Sequence, residues 1–232
     1  MGSDFQNPAD WFALMHVADS AFPVGGFAFS SGLESATKLG LIDSLPAFAH
    51  YLEAFVEQVG QMELPYLNSI WDVPEERIHE LEQIIHELDA TIILPTMNKA
   101  SIVQGKSLFR LLVPMYPDRG INQIRSWFIE ADLPFHLLAV FTLGMKSIGF
   151  RKRDTQRVYV YITVRDQISS AIRLGLVGPQ DGHLLQRGLY ERCEQITEAS
   201  KGKVYTDAVK SCPALEIAQG VHQQIYTKLF QN

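Results

Sequence analysis

The chain has 232 residues, 47% hydrophobic and 20% charged, and its 26 acidic and 20 basic side chains give a formal net charge of −6. That length buries a sizeable core without disulfide or metal staples. The balance excludes intrinsic disorder, a collagen-like fibre, a long coiled coil and nucleic-acid binding by the surface as a whole. Two cysteines, Cys193 and Cys212, fit neither a disulfide scaffold nor a zinc ribbon and are expected to be free thiols in a reducing compartment. No basic n-region precedes the first apolar stretch, at 11–18, and no run of about 18 apolar residues occurs, so a cytoplasmic protein with no membrane span is expected.

Reading along the chain, Phe22-Pro23-Val24-Gly25-Gly26-Phe27 predicts a tight, conformationally defined loop between two helices. Proline fixes φ there, and the glycines permit a turn that other residues resist. Over 45–61, Leu45, Phe48, Leu52, Phe55 and Val59 recur at steps of three and four, and Asp43-Ser44 can cap the start. Pro74-Glu75-Glu76 opens a second helix, with acids where the dipole favours them and an apolar stripe of Ile78, Leu81, Ile84, Ile85 and Leu88. Further helical patterns run over 98–112, 122–131, 134–148, 180–199 and 213–230. Residues 158–164 are dense in strand formers, yet Tyr161, Val164, Ile168 and Ile172 keep helical steps, so a long helix is predicted. The sum is a single all-α domain, a bundle of roughly ten helices spanning residues 1–232.

Several patterns suggest chemistry. Residues 100–107 end in Gly105-Lys106-Ser107 like a phosphate loop, which makes a nucleotide-binding enzyme using Lys106 the alternative function. However, β-branched Ile102 and Val103 occupy the loop interior, and Ala100, Val103, Ser107 and Leu111 continue a helical face, so a buried helix with a close-packing Gly105 is expected. His79 and His86 share a helix face without a third ligand. His136 and His222 lie in apolar stripes and are expected to be satisfied or interface residues. No catalytic constellation is found, and no catalytic residue, cofactor or metal ligand is assigned.

The segment 18–34 carries Asp19-Ser20, then Phe22-Pro23-Val24-Gly25-Gly26-Phe27, then Ser30-Ser31-Gly32-Leu33-Glu34. It resembles the signature of the urease accessory protein UreF family. The likeness continues through Ala100-Ser101 with Gln104-Gly105, Phe135-His136 with Gly144, Ser169 to Leu174 with Gln180-Asp181-Gly182, and Pro213 to Phe230. The resemblance implies an all-helical homodimer with no reaction of its own. It also implies partners: a UreD/UreH-like protein and a UreG-like GTPase, which such a protein bridges, and through their complex the urease apoprotein. That complex carbamylates an active-site lysine and inserts two nickel ions, and the UreF-like subunit regulates the GTPase.

Residues 146–157 hold five bases and one acid, a basic block that could face an acidic partner. Arg157 and Tyr161 lie one helical turn apart, both favoured interface types, and in the family the Arg and Tyr here lie on a partner-binding surface. They are the expected GTPase contact, with the Gly25-Gly26 loop as the fallback. The C-terminal stripe, ending in Tyr226, Leu229 and Phe230, is the expected dock for the UreD/UreH-like partner.

Overall fold

The computed structural model describes residues 8–22, 26, 29–221 and 228–231. They form twelve α-helices and no strand: α1 (Pro8–Val17), α2 (Leu33–Lys38), α3 (Leu45–Gln58), α4 (Leu64–Asp72), α5 (Ile78–Thr91), α6 (Pro95–Met115), α7 (Ile121–Glu130), α8 (Leu137–Ile148), α9 (Lys152–Arg173), α10 (Pro179–Gly188), α11 (Tyr190–Ala199) and α12 (Pro213–Val221). A π-helical turn (Val59–Glu63) fuses α3 to α4, and Leu189 alone separates α10 from α11. The all-helical architecture is as expected. Ser44 caps α3 by accepting from the Ala47 N–H at 3.4 Å.

The π-helical turn has a cause in the sequence. Pro65 lacks an N–H and would clash with the carbonyl four residues earlier in a regular helix, and the wider turn just before it absorbs the misfit. The bulge contains Gly60, where a Cβ would stand 2.9 Å from the Ile196 Cβ, so α11 seats directly on it. The most extensive pairing is α6 on α8. Gly105 makes it possible, because a Cβ there would come within 1.8 Å of the Phe135 carbonyl oxygen. The phosphate-loop pattern is therefore mid-helix backbone in a tight crossing, and Lys106 lies over the Phe135 ring.

The helix α9 runs through the strand-like residues. Val158, Tyr159, Val160 and Val164 are all buried, against neighbours that include α2, α3, α4, α8, α10 and α11. A β-branched residue loses about 0.5 kcal/mol of helix propensity, whereas burying such a side chain gains roughly 1.5–3 kcal/mol, so packing wins.

Three boundaries differ from expectation. The helix expected over 180–199 breaks at Leu189, and the one expected from Pro74 begins with a 3-10 turn (Glu75–Arg77) before α5. Ile78 of its predicted stripe is exposed, while Leu81, Ile84, Ile85 and Leu88 are buried. The C-terminal helix was expected to reach Phe230, but α12 is described to Val221 and residues 228–231 are not helical. Gly25, His222 and Tyr226 lie outside the described residues.

Candidate functional site

Arg157 and Tyr161 stand on the solvent side of α9, 44% and 39% exposed. They do not form a lone helix face. They border a shallow cleft of about 170 Å³ between α9 and α11, with Val160 and Val164 in its floor and Tyr190 and Glu194 on its far wall. Tyr190 is 54% exposed. Arg157 is already engaged: its Nε donates to Glu194 Oε2 at 2.9 Å and its Nη2 to Oε1 at 2.6 Å. Arg153 Nη2 donates to the same Oε1 at 2.7 Å and also pairs with Glu198. The hydrogen bond from Arg157, reinforced by Arg153, holds the Glu194 carboxyl down to about 2, and the same contact raises Arg157 above its ordinary value. Nη1 of Arg157 stands 3.9 Å from Asp154 Oδ1, beyond hydrogen-bond reach.

The basic block is not a bare cationic patch. Lys146 Nζ donates to the Trp71 and Val73 carbonyls, Arg151 pairs with Asp154, and Lys152 meets Asp72 at 2.6 Å. Acids from α4, α9 and α11 therefore offset much of its charge within the chain. Exposed pairs of this kind are worth about 0–1 kcal/mol each.

The other expected residues lie elsewhere. Gly26 packs on α9 at Asp166, where a Cβ would stand 2.5 Å from Oδ2. Nine positions from Arg157 at about 100° per residue place Asp166 on the opposite side of α9. Burial raises the Asp166 carboxyl, against the pull of Arg165 at 2.6 Å. Near the chain end, Leu229 N–H donates to Glu34 Oε1 at 2.7 Å and Phe230 N–H to Oε2 at 3.2 Å. Phe230 is buried with its ring 4.3 Å from the Arg173 Cζ, while Leu229 is 52% exposed. Phe230 thus packs on its own chain.

Two internal features went unseen in the sequence. A cavity of about 430 Å³ opens between the π-helical turn, α6, α9 and α12, bordered by Gly26, Glu63, Ser101, Tyr159, Asp166 and Gln219. Glu63 lines this cavity, and its Oε2 has no partner among the described residues. Burial pushes its carboxyl up to about 7, despite a hydrogen bond with Tyr159. The second feature surrounds His136, which is wholly buried as its apolar stripe implied. Its Nε2 meets Asp89 at 2.8 Å and its Nδ1 meets Ser101 Oγ at 3.1 Å. Ser101 Oγ also accepts from the Leu137 N–H, so Ser101, held by His136, caps the start of α8. No group of three or more His, Cys, Asp or Glu side chains among the described residues is arranged to hold a metal ion. No described helix is long and apolar enough to cross a membrane.

A family model described as UreF matches residues 43–190. The chain is 30% identical over 227 residues to the Urease accessory protein F of Oryza sativa subsp. indica, covering 97% of this chain and 86% of the relative. The protein of that name from Arabidopsis thaliana is 30% identical over 215 residues, 91% of this chain and 88% of its own. The Urease accessory protein UreF of Corynebacterium efficiens is 24% identical over 226 residues, 95% and 96% of the two chains.

Proposed function

The chain belongs to the UreF family of urease accessory proteins, and from that premise we propose that it is a non-catalytic scaffold of urease maturation. It bridges a UreD/UreH-like protein and a UreG-like GTPase, regulates the GTPase, and serves nickel insertion into the urease apoprotein through their complex. The observation that carries the GTPase contact is the α9–α11 cleft. There Arg157, Tyr161 and Tyr190, residue types that anchor interfaces, are exposed side by side around an apolar floor. Leu229, exposed near the chain end, is kept as the contact for the UreD/UreH-like partner, together with Tyr226. Gly25 and Gly26 remain the fallback for the GTPase, on a different side of α9.

Homodimerisation and a cytoplasmic location belong to the same reading. Trp11, Phe12 and Met15 leave apolar surface exposed on α1, which supports self-association. Light scattering at micromolar concentration should give twice the monomer mass; a monomer would count against a stable homodimer.

The test is reconstitution of urease activation from purified apoprotein, UreD/UreH-like protein and UreG-like GTPase, with and without this chain. Activation should need the chain, and Arg157→Ala and Tyr161→Ala should each reduce capture of the GTPase while the fold is kept. Full capture by the double variant would remove this surface from the reading. Activation at the same level without the chain would remove the function.

A further inference from the structure

We propose that Ser101 is an acylation site: the Asp89–His136–Ser101 chain makes its hydroxyl a nucleophile, and the cavity it borders admits a small acyl donor with a good leaving group, an activated ester or a thioester.

The chain joins three elements, with Asp89 on α5, Ser101 on α6 and His136 just before α8. Its members run carboxylate, imidazole, hydroxyl, at 2.8 and 3.1 Å. Those separations lie within the roughly 2.6–3.2 Å at which a base takes a nucleophile's proton. The partners fix where the protons sit. Partial burial pushes the Asp89 carboxyl up, but hydrogen bonds with Asn98 and His136 bring it below its ordinary value, so it is an anion that can only accept. His136 Nε2 therefore carries the ring proton. Burial lowers the imidazole below its ordinary 6.5, against the pull of Asp89, so the ring is neutral at neutral pH and Nδ1 accepts the Ser101 O–H. Of the two lone pairs on Oγ, one accepts from the Leu137 N–H and the other is left for attack. The positive end of the α8 dipole thus meets the oxygen around which negative charge builds.

Ser101 is half-buried and borders the cavity of about 430 Å³ together with Leu108, Leu137, Leu138 and Phe141. Those apolar walls suit an uncharged acyl group. In the reaction a bond forms between Oγ and the carbonyl carbon, and the bond from that carbon to the leaving oxygen or sulfur breaks. The leaving group departs as an anion with the electron pair. The hydroxyl proton passes to Nδ1, giving an imidazolium that Asp89 pairs. His136 is wholly buried and has no surface from which to activate water, so each chain takes one acyl group without turnover.

The test follows the full chain with p-nitrophenyl acetate, reading p-nitrophenolate release and peptide masses. One acetyl group per chain should appear on the peptide that holds Ser101, and Ser101→Ala should abolish it. Asp89→Asn should slow acetylation at least about a hundredfold, because an amide can donate to Nε2 and drive the ring proton to Nδ1. The rate should be level above pH 6.5, where the imidazole is already neutral, whereas an unassisted hydroxyl keeps gaining rate with hydroxide. Dichroism and melting curves establish folding. If Ser101→Ala fails that check, Asp89→Asn decides, since that side chain is 42% exposed. Acetyl groups confined to lysines or cysteines, or an Asp89→Asn rate equal to that of the unmodified chain, would leave Ser101 as a helix cap only and overturn the proposal.

Discussion

The α6–α8 crossing and the α9–α11 cleft are built from the same kinds of group and have opposite consequences. In the crossing, His136, Asp89 and Ser101 form a polar chain around a wholly buried imidazole, beside a glycine that touches backbone. In the cleft, Arg157, Arg153 and Glu194 form a charged chain with each member well exposed. Water makes the difference. A buried polar group that loses its partner bears the full cost of desolvation, while an exposed ion that loses one is rehydrated. The crossing therefore specifies the fold, and the cleft is free to specify a partner.

The hardest break is at Gly105. An alanine in mid-helix normally gains about 1 kcal/mol over glycine. Here a Cβ would come within 1.8 Å of the Phe135 carbonyl oxygen, and α6 and α8 must separate. Gly105→Ala should lose about 3 kcal/mol in urea unfolding, as overpacking does. An unchanged or raised midpoint would show that the crossing is looser than described.

His136→Ala should follow, at about 2–3 kcal/mol, because a buried cavity opens and Ser101 loses a partner, while Asp89, still paired with Asn98, is rehydrated. Burial lowers the imidazole below its ordinary 6.5, although Asp89 pulls it up. The unfolded chain then takes the proton first, so this residue makes stability rise with pH up to about 6.5. Glu63 has the opposite sign. Its carboxyl is raised from 4.5 to about 7, so the folded chain holds the proton longer and stability falls as pH rises across that window. Unfolding curves at several pH values should show Glu63→Gln removing the fall. Parallel curves for the two proteins would mean that Glu63 is solvated.

The cleft should yield the smallest changes in stability. Arg157→Ala should stay within about 0.5 kcal/mol of the unmodified chain, since its pair is exposed. Any larger loss would make the cleft a structural element. Lys152, paired with Asp72 at 2.6 Å, should matter least, with Lys152→Ala altering GTPase capture slightly and only at low salt.

Much of this was legible from spacing. The stripes of α3 and α5 marked most of their buried faces, and a period of 3.6 in α9 prevailed over strand propensity, whereas the face read for α6 includes exposed Val103 and misses Leu108, Phe109 and Leu112. Arg157 and Tyr161 were legible as neighbours because one turn separates them. Glu194 was not, because 37 positions separate it from Arg157 and no local signal spans that gap. Phe230 looked like a free end because the strip of chain that covers it, with Glu34 and Arg173, is remote in sequence. The break at Leu189 carries no proline and no left-handed glycine, so only the different seats of α10 and α11 reveal it.

By itself, the sequence determined the helical class, the buried stripes of α3 and α5 and the family, since these depend on residues a few positions apart or on motifs read in order. Tertiary structure alone decided that Arg157 is held rather than free, that Glu63 keeps its proton to about pH 7, and that Gly26 and Arg157 lie on different sides of one helix. Those properties depend on dielectric and on distances between remote segments, which exist only once the helices have packed.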